Sequence, residues 1–85
     1  MPKSVFSGAH RHLVEVLTDA RRVAGLTQAQ LAKRIGKDQS YISLIEGSQR
    51  RVDVLEFYAL ARALGCDPVQ LFQSVSDRLP PHIDV

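Results

Sequence analysis

The residues best able to do chemistry lie together in Gln39-Ser40-Tyr41-Ile42-Ser43. On a helix, Gln39, Ser40 and Ser43 share an outward face with parts of Tyr41 and Leu44. That face is polar and uncharged. An amide at the start of such a helix can pair with adenine N6 and N7 in a DNA major groove. Short hydroxyls can bond base edges or phosphates while letting the helix come close. The same residues also make an ordinary solvated helix face, and the pattern alone fits both readings.

Other chemistries find little support. His10 and His12 are two apart, so they share no helix face, and His82 lies near the end of the chain. With a single cysteine, Cys66, no zinc site of usual composition can be assembled, and neither a metal nor another cofactor is expected. Cys66 reads as a small buried hydrophobe. The chain carries no glycine-rich phosphate loop and no Ser/His/Asp or Cys/His arrangement in a recognisable setting, so an enzyme is not expected.

Five helices and no strands can be read around the central residues. Ala9, Leu13, Val16, Leu17, Ala20 and Val23 lay one apolar stripe along a first helix, from about Ser7 to Val23, and Gly25 stops it. Thr27-Gln28-Ala29-Gln30 is a capping box that opens a second helix, which runs through Leu31, Ala32 and Ile35 to Gly36. Asp38 is placed to cap a third, Gln39 to Glu46, with Ile42 and Ile45 inward and Gly47 as terminator. Asp53, with Glu56 three residues on, starts a fourth. Its apolar set (Leu55, Phe57, Tyr58, Leu60, Ala61, Leu64) predicts that most of it is buried. Asp67-Pro68 opens a fifth, carrying Leu71, Phe72 and Val75, and Pro80-Pro81 leaves a tail. The organisation is an arm over residues 1–8, one domain over 9–75 and a tail over 76–85.

The second and third helices, joined through Ile35-Gly36-Lys37-Asp38, are the parts of a helix-turn-helix. Ala32 is small enough to let the two cross, and Leu31, Ile35, Ile42 and Ile45 would pin both to the core. Charge is unevenly spread. Residues 21–51 carry a net +5 and the rest of the chain −3, although the total is only +2. A basic middle is a footprint of polyanion binding, and also of a solvated basic face. No apolar run approaches the ~20 residues of a membrane span, no signal-peptide core follows the N-terminus, and a lone cysteine suits a reducing compartment. A cytoplasmic protein is expected.

Leu26-Thr27-Gln28-Ala29-Gln30-Leu31-Ala32, then Gly36, then Gln39-Ser40-Tyr41-Ile42-Ser43-Leu44-Ile45-Glu46 resembles the Cro/C1 (XRE-type) helix-turn-helix family, and the resemblance extends over residues 12–73. It implies an all-α, five-helix, lambda-repressor-like domain that binds double-stranded DNA. It also implies that Gln39, Ser40, Ser43 and Tyr41 meet bases, Tyr41 through a thymine methyl or else reaching a phosphate. Thr27 and Gln28 would meet the backbone, or Gln28 would buttress Gln39 amide to amide. Lys37, Arg50 and Arg51 would clamp flanking phosphates. Glu46 would pair with an arginine, most simply Arg21 or Arg22. The chain departs from the family pattern at Gly47, one position earlier than the usual glycine, at Val52 in place of proline, and at the apolar Leu44.

Family likeness further implies a regulator of transcription, a repressor or autoregulator, working as a homodimer on half-sites about 34–36 Å apart. Phe72, Val75 and Leu79 are the candidate dimer contacts, with Leu71 and Phe72 alternatively closing the core. The competing reading is an antitoxin-like module whose main partner is a protein such as a toxin, with DNA secondary.

Overall fold

The computed structural model describes residues 8–83. These form five helices, α1 (Ala9–Val23), α2 (Gln28–Arg34), α3 (Gln39–Glu46), α4 (Val54–Ala63) and α5 (Pro68–Ser76), with no strand among the described residues. All but the last residue of the expected N-terminal arm, 1–8, lies outside the described residues.

The helix starts are set by local chemistry. The Thr27 hydroxyl accepts from the Gln30 N–H at 3.1 Å, and the Gln30 side chain accepts from the Thr27 N–H at 2.9 Å. Asp53 and Glu56 close the same reciprocal box at α4, at 2.7 and 2.9 Å. Asp67 accepts from both Val69 and Gln70 ahead of α5, with Pro68 in the first turn. Asp38 stands at the α3 N-cap, but its side chain makes no capping bond. The end of α3 also differs from expectation. Gly47 keeps a negative φ of −84°, and the left-handed residue is Ser48, at φ 57°. A side chain at position 47 would press on the Ser43 carbonyl, its Cβ 3.2 Å away, so the glycine provides room and the serine provides the reversal.

Leu31 and Ala32 of α2, Ile42 and Ile45 of α3, Val16 and Leu17 of α1, Phe57 and Leu60 of α4 and Leu64 at its C-cap belong to one core. α2 and α3 make the most extensive helix–helix contact, with fully enclosed Ala32 allowing close approach. The backbone N–H of Val52 donates to His10 Nε2 at 3.2 Å, tying the residue 47–53 loop to α1.

Three burial expectations are corrected. Val23 is 89% exposed, because the α1 stripe turns away from the core at its end, and Val14 is buried instead. Val75 is 2% exposed and part of the core, so it has no surface to offer a second subunit. The fourth helix is not mostly buried: Phe57, Leu60 and Ala61 face inward, while Leu55 is 78% and Tyr58 54% exposed. A helix has two sides, and the helices packed against α4, α2 and α5, cover only one of them.

Candidate nucleic-acid interface

α3 is held by two inward isoleucines, Ile42 and Ile45, and this leaves Gln39, Ser40, Ser43 and Leu44 exposed along its other side. The expected base-reading row, apart from Tyr41, is therefore brought together on one accessible face. Behind it runs a chain of polar contacts. The Arg21 guanidinium donates to Glu46 through Nε at 2.6 Å and through a terminal nitrogen at 2.9 Å. Both side chains are nearly enclosed, at 12% and 11% exposed. The third Arg21 contact, at 2.8 Å, is to the Leu26 carbonyl at the turn before α2. Gln28 Nε2 donates to Glu46 Oε1 at 3.0 Å, and Gln39 Nε2 donates to Gln28 Oε1 at 2.7 Å.

This bears out the expected arginine partner for Glu46, with Arg21 chosen over Arg22. It also gives Gln28 the buttressing geometry. Burial would raise the Glu46 pKa, but hydrogen bonds from Arg21 and Gln28 outweigh it and hold the carboxyl below the usual range. The same bond pushes the Arg21 guanidinium further up. Glu46 is therefore a charged group at neutral pH.

A second cluster holds the loop after α3. The Tyr41 ring packs on the core, and its hydroxyl donates to Glu56 Oε2 at 2.9 Å. Arg50 donates to the same oxygen at 2.6 Å. The cations of Arg50 and Lys37 lie over the Tyr41 ring, 4.6 and 5.4 Å from its centre. Hydrogen bonding from Arg50 brings Glu56 down to about 2, while burial and the Glu56 bond push Tyr41 up to about 12. Tyr41 thus departs from the outward row. Its single hydroxyl proton is engaged by Glu56 and is not offered to DNA in this arrangement. Sequence reasoning identified Glu56 only as a capping residue. Its link to Arg50, six positions away across a loop, has no helical spacing to reveal it.

Lys37, Arg50 and Arg51 flank the row at the two ends of α3. Thr27 uses its oxygen lone pair in the capping box and keeps its hydroxyl proton. Gln28 is partly exposed.

The sequence profile described as "Helix-turn-helix" matches residues 18–71, most of the chain. The chain belongs to the XRE-type helix-turn-helix family. α2 and α3 are its helix-turn-helix, and the family is one of DNA-binding transcriptional regulators. The chain is similar to an XRE-family like protein from Pseudomonas syringae pv. tomato, with 39% identity over 85% of this chain and 88% of that one and a TM-score of 0.78. The restriction-modification controller protein C.AhdI from Aeromonas hydrophila is 35% identical over 74% of this chain and 96% of that one, with a TM-score of 0.67. An uncharacterized HTH-type transcriptional regulator, y4dJ, from Sinorhizobium fredii is 43% identical over 51 residues, and the match covers 60% of this chain and 66% of that relative, just under two thirds. No helix of the described residues is long and apolar enough to cross a membrane.

Proposed function

We propose that this protein regulates transcription, most simply as a repressor or autoregulator, by binding a two-fold-symmetric DNA site as a homodimer. Residues 9–75 are the binding unit. α3 enters the major groove with Gln39, Ser40 and Ser43 at base edges and Leu44 against a thymine methyl. Lys37, Arg50 and Arg51, with Thr27 and Gln28, meet phosphates, which position the protein without specifying sequence. The carrying observation is the Gln39–Gln28 amide pair. It engages one N–H of exposed Gln39 and leaves its carbonyl and other N–H free, the complement of adenine N6 and N7. The relatives described as a transcriptional regulator and a restriction-modification controller support the regulatory reading.

For the homodimer, α4 offers a better surface than the end of α5. Leu55, Tyr58, Ala59 and Arg62 form an exposed ridge, and beside it Val54, Tyr58, Val69 and Phe72 line an apolar groove between α4 and α5. A ridge beside a groove is self-complementary under a two-fold axis. Asp53 starts the helix and Arg62 ends it, so antiparallel pairing of two α4 helices sets opposite charges together. Leu79 lies partly buried against the core.

In-vitro selection from random duplex DNA tests the reading. The expected product is a two-fold motif whose half-sites lie about one helical turn apart. Gln39→Ala should lose discrimination of about 1–3 kcal/mol at one position per half-site. Leu55→Lys should leave a folded monomer with weakened binding to the full site. Salt-sensitive binding with no motif would reduce the basic stripe to electrostatics.

A further inference from the structure

The chain of contacts behind α3 has a direction. A carboxylate only accepts hydrogen bonds. Glu46 therefore obliges Gln28 to turn its NH2 inward, as the 3.0 Å contact requires. The Gln28 carbonyl must then face Gln39, and Gln39 must give it an N–H, at 2.7 Å. What remains on Gln39 is one acceptor and one donor. If the first group in the series offered a donor instead, each amide would flip. Gln39 would then accept from Gln28 and present two N–H groups outward, the complement of the two guanine acceptors, N7 and O6.

We infer that Glu46, behind the recognition helix and 11% exposed, selects adenine over guanine at the Gln39 position by setting the polarity of two side-chain amides in series. Glu46 is a positioning residue, acting through Gln28 and Gln39 without touching a base. Arg21 holds the carboxylate in place but has no direct bond to Gln28 among those described. The inference rests on the reading that α3 enters the major groove, and it names what determines specificity there.

Glu46→Gln exchanges an acceptor-only group for one with both polarities. With its carbonyl kept on the shorter Arg21 bond, at 2.6 Å, its NH2 takes the Oε1 place, facing Gln28 and also the terminal Arg21 nitrogen that had bonded Oε1 at 2.9 Å, so that second Arg21 bond is given up. Arg21→Lys weakens the ion pair while leaving the carboxylate against Gln28.

The experiment is the same in-vitro selection, run on wild type, E46Q and R21K, each checked by circular dichroism to be folded at the assay temperature. The position read by Gln39 is marked by Q39A. The expected result is that E46Q loses the preference for adenine over guanine at that one position by roughly tenfold, with the rest of the motif unchanged. R21K should melt earlier and keep the adenine preference. If E46Q is unfolded, Gln28→Leu replaces it: overall affinity falls with the lost phosphate contact, and the adenine preference falls at that one position because Gln39 is then free to rotate, so a preference kept in folded Gln28→Leu overturns the inference. A wild-type motif carried unchanged through a folded E46Q overturns the inference and leaves the DNA-binding reading standing. An identical change in R21K also overturns it, because Glu46 would then be acting through stability alone. A wild type that selects no motif overturns the sequence-reading proposal itself, and this inference with it.

Discussion

Glu56 joins three separately encoded features: the start of α4, the ring of Tyr41 on α3, and the cation of Arg50 in the loop between them. Its pKa falls from 4.5 to about 2, first because of the Arg50 bond. A carboxyl group whose pKa drops on folding binds fewer protons folded than unfolded. Its stabilisation is complete above about pH 4.5 and is lost as the pH falls toward 2. The full shift would be worth about 3 kcal/mol. Arg50 is 37% exposed, however, and water screens the pair, so about 1–2 kcal/mol is expected. Glu56→Gln removes the charge that Arg50 and Tyr41 share and keeps the helix start, because glutamine at the same position still closes the capping box. At pH 7 the variant should melt roughly 5–15 °C below wild type. Thermal melts followed by circular dichroism, repeated from pH 7 to pH 2.5, should show the gap closing as the unfolded wild-type chain takes up a proton at Glu56 that the folded one does not. Glu46 is common to both proteins and cancels. A gap that stays constant across that range, or no gap at pH 7, would refute the reasoning.

His10 has its pKa lowered, by burial first and by the Arg51 charge second. The unfolded chain therefore takes up the proton before the folded one, and stability should decline as the pH falls from about 6.5 toward the folded-state value; an NMR titration of the His10 ring with a midpoint at or above 6.5 would contradict this. Ser48→Gly relieves a left-handed residue, worth about 1–2 kcal/mol, while the freer unfolded chain takes back about 0.4–1 kcal/mol. The net expectation is a stabilisation of roughly 0–1.5 kcal/mol, read from the urea midpoint, and a clear loss would show that Ser48 contributes more than its backbone. Ile42→Ala, at a residue 2% exposed between the two helices of the motif, should cost about 2–5 kcal/mol in denaturant unfolding. Val75→Ala tests its placement in the core: a loss under ~0.5 kcal/mol, the range of surface substitutions, would argue that its burial is incomplete.

The helices, their caps and the pairing of α2 with α3 were legible in the chain because each depends on neighbours a few residues apart. Thr27 with Gln30, Asp53 with Glu56, Pro68 in a first turn and the inward Ile42 and Ile45 are local patterns, and a local pattern survives in the sequence. The exposed row of Gln39, Ser40 and Ser43 followed from the same periodicity. So did the need of Glu46 for a cation.

Tertiary structure decided what distance in sequence conceals. It selected Arg21 over Arg22, because only one of two adjacent residues on α1 points at α3. It linked Gln28 to Glu46, eighteen residues on, and so turned two separate amides into one directed series. Tyr41 was drawn off the outward row because Glu56, on another helix, accepts its hydroxyl hydrogen bond. The left-handed turn after α3 went to Ser48, since the neighbouring Ser43 carbonyl needs the space at Gly47. α4 shows the limit most plainly. An apolar residue declares that it gains by leaving water, but what covers it depends on which faces the other helices reach. They reach Phe57, Leu60 and Ala61 and leave Leu55 and Tyr58 to solvent.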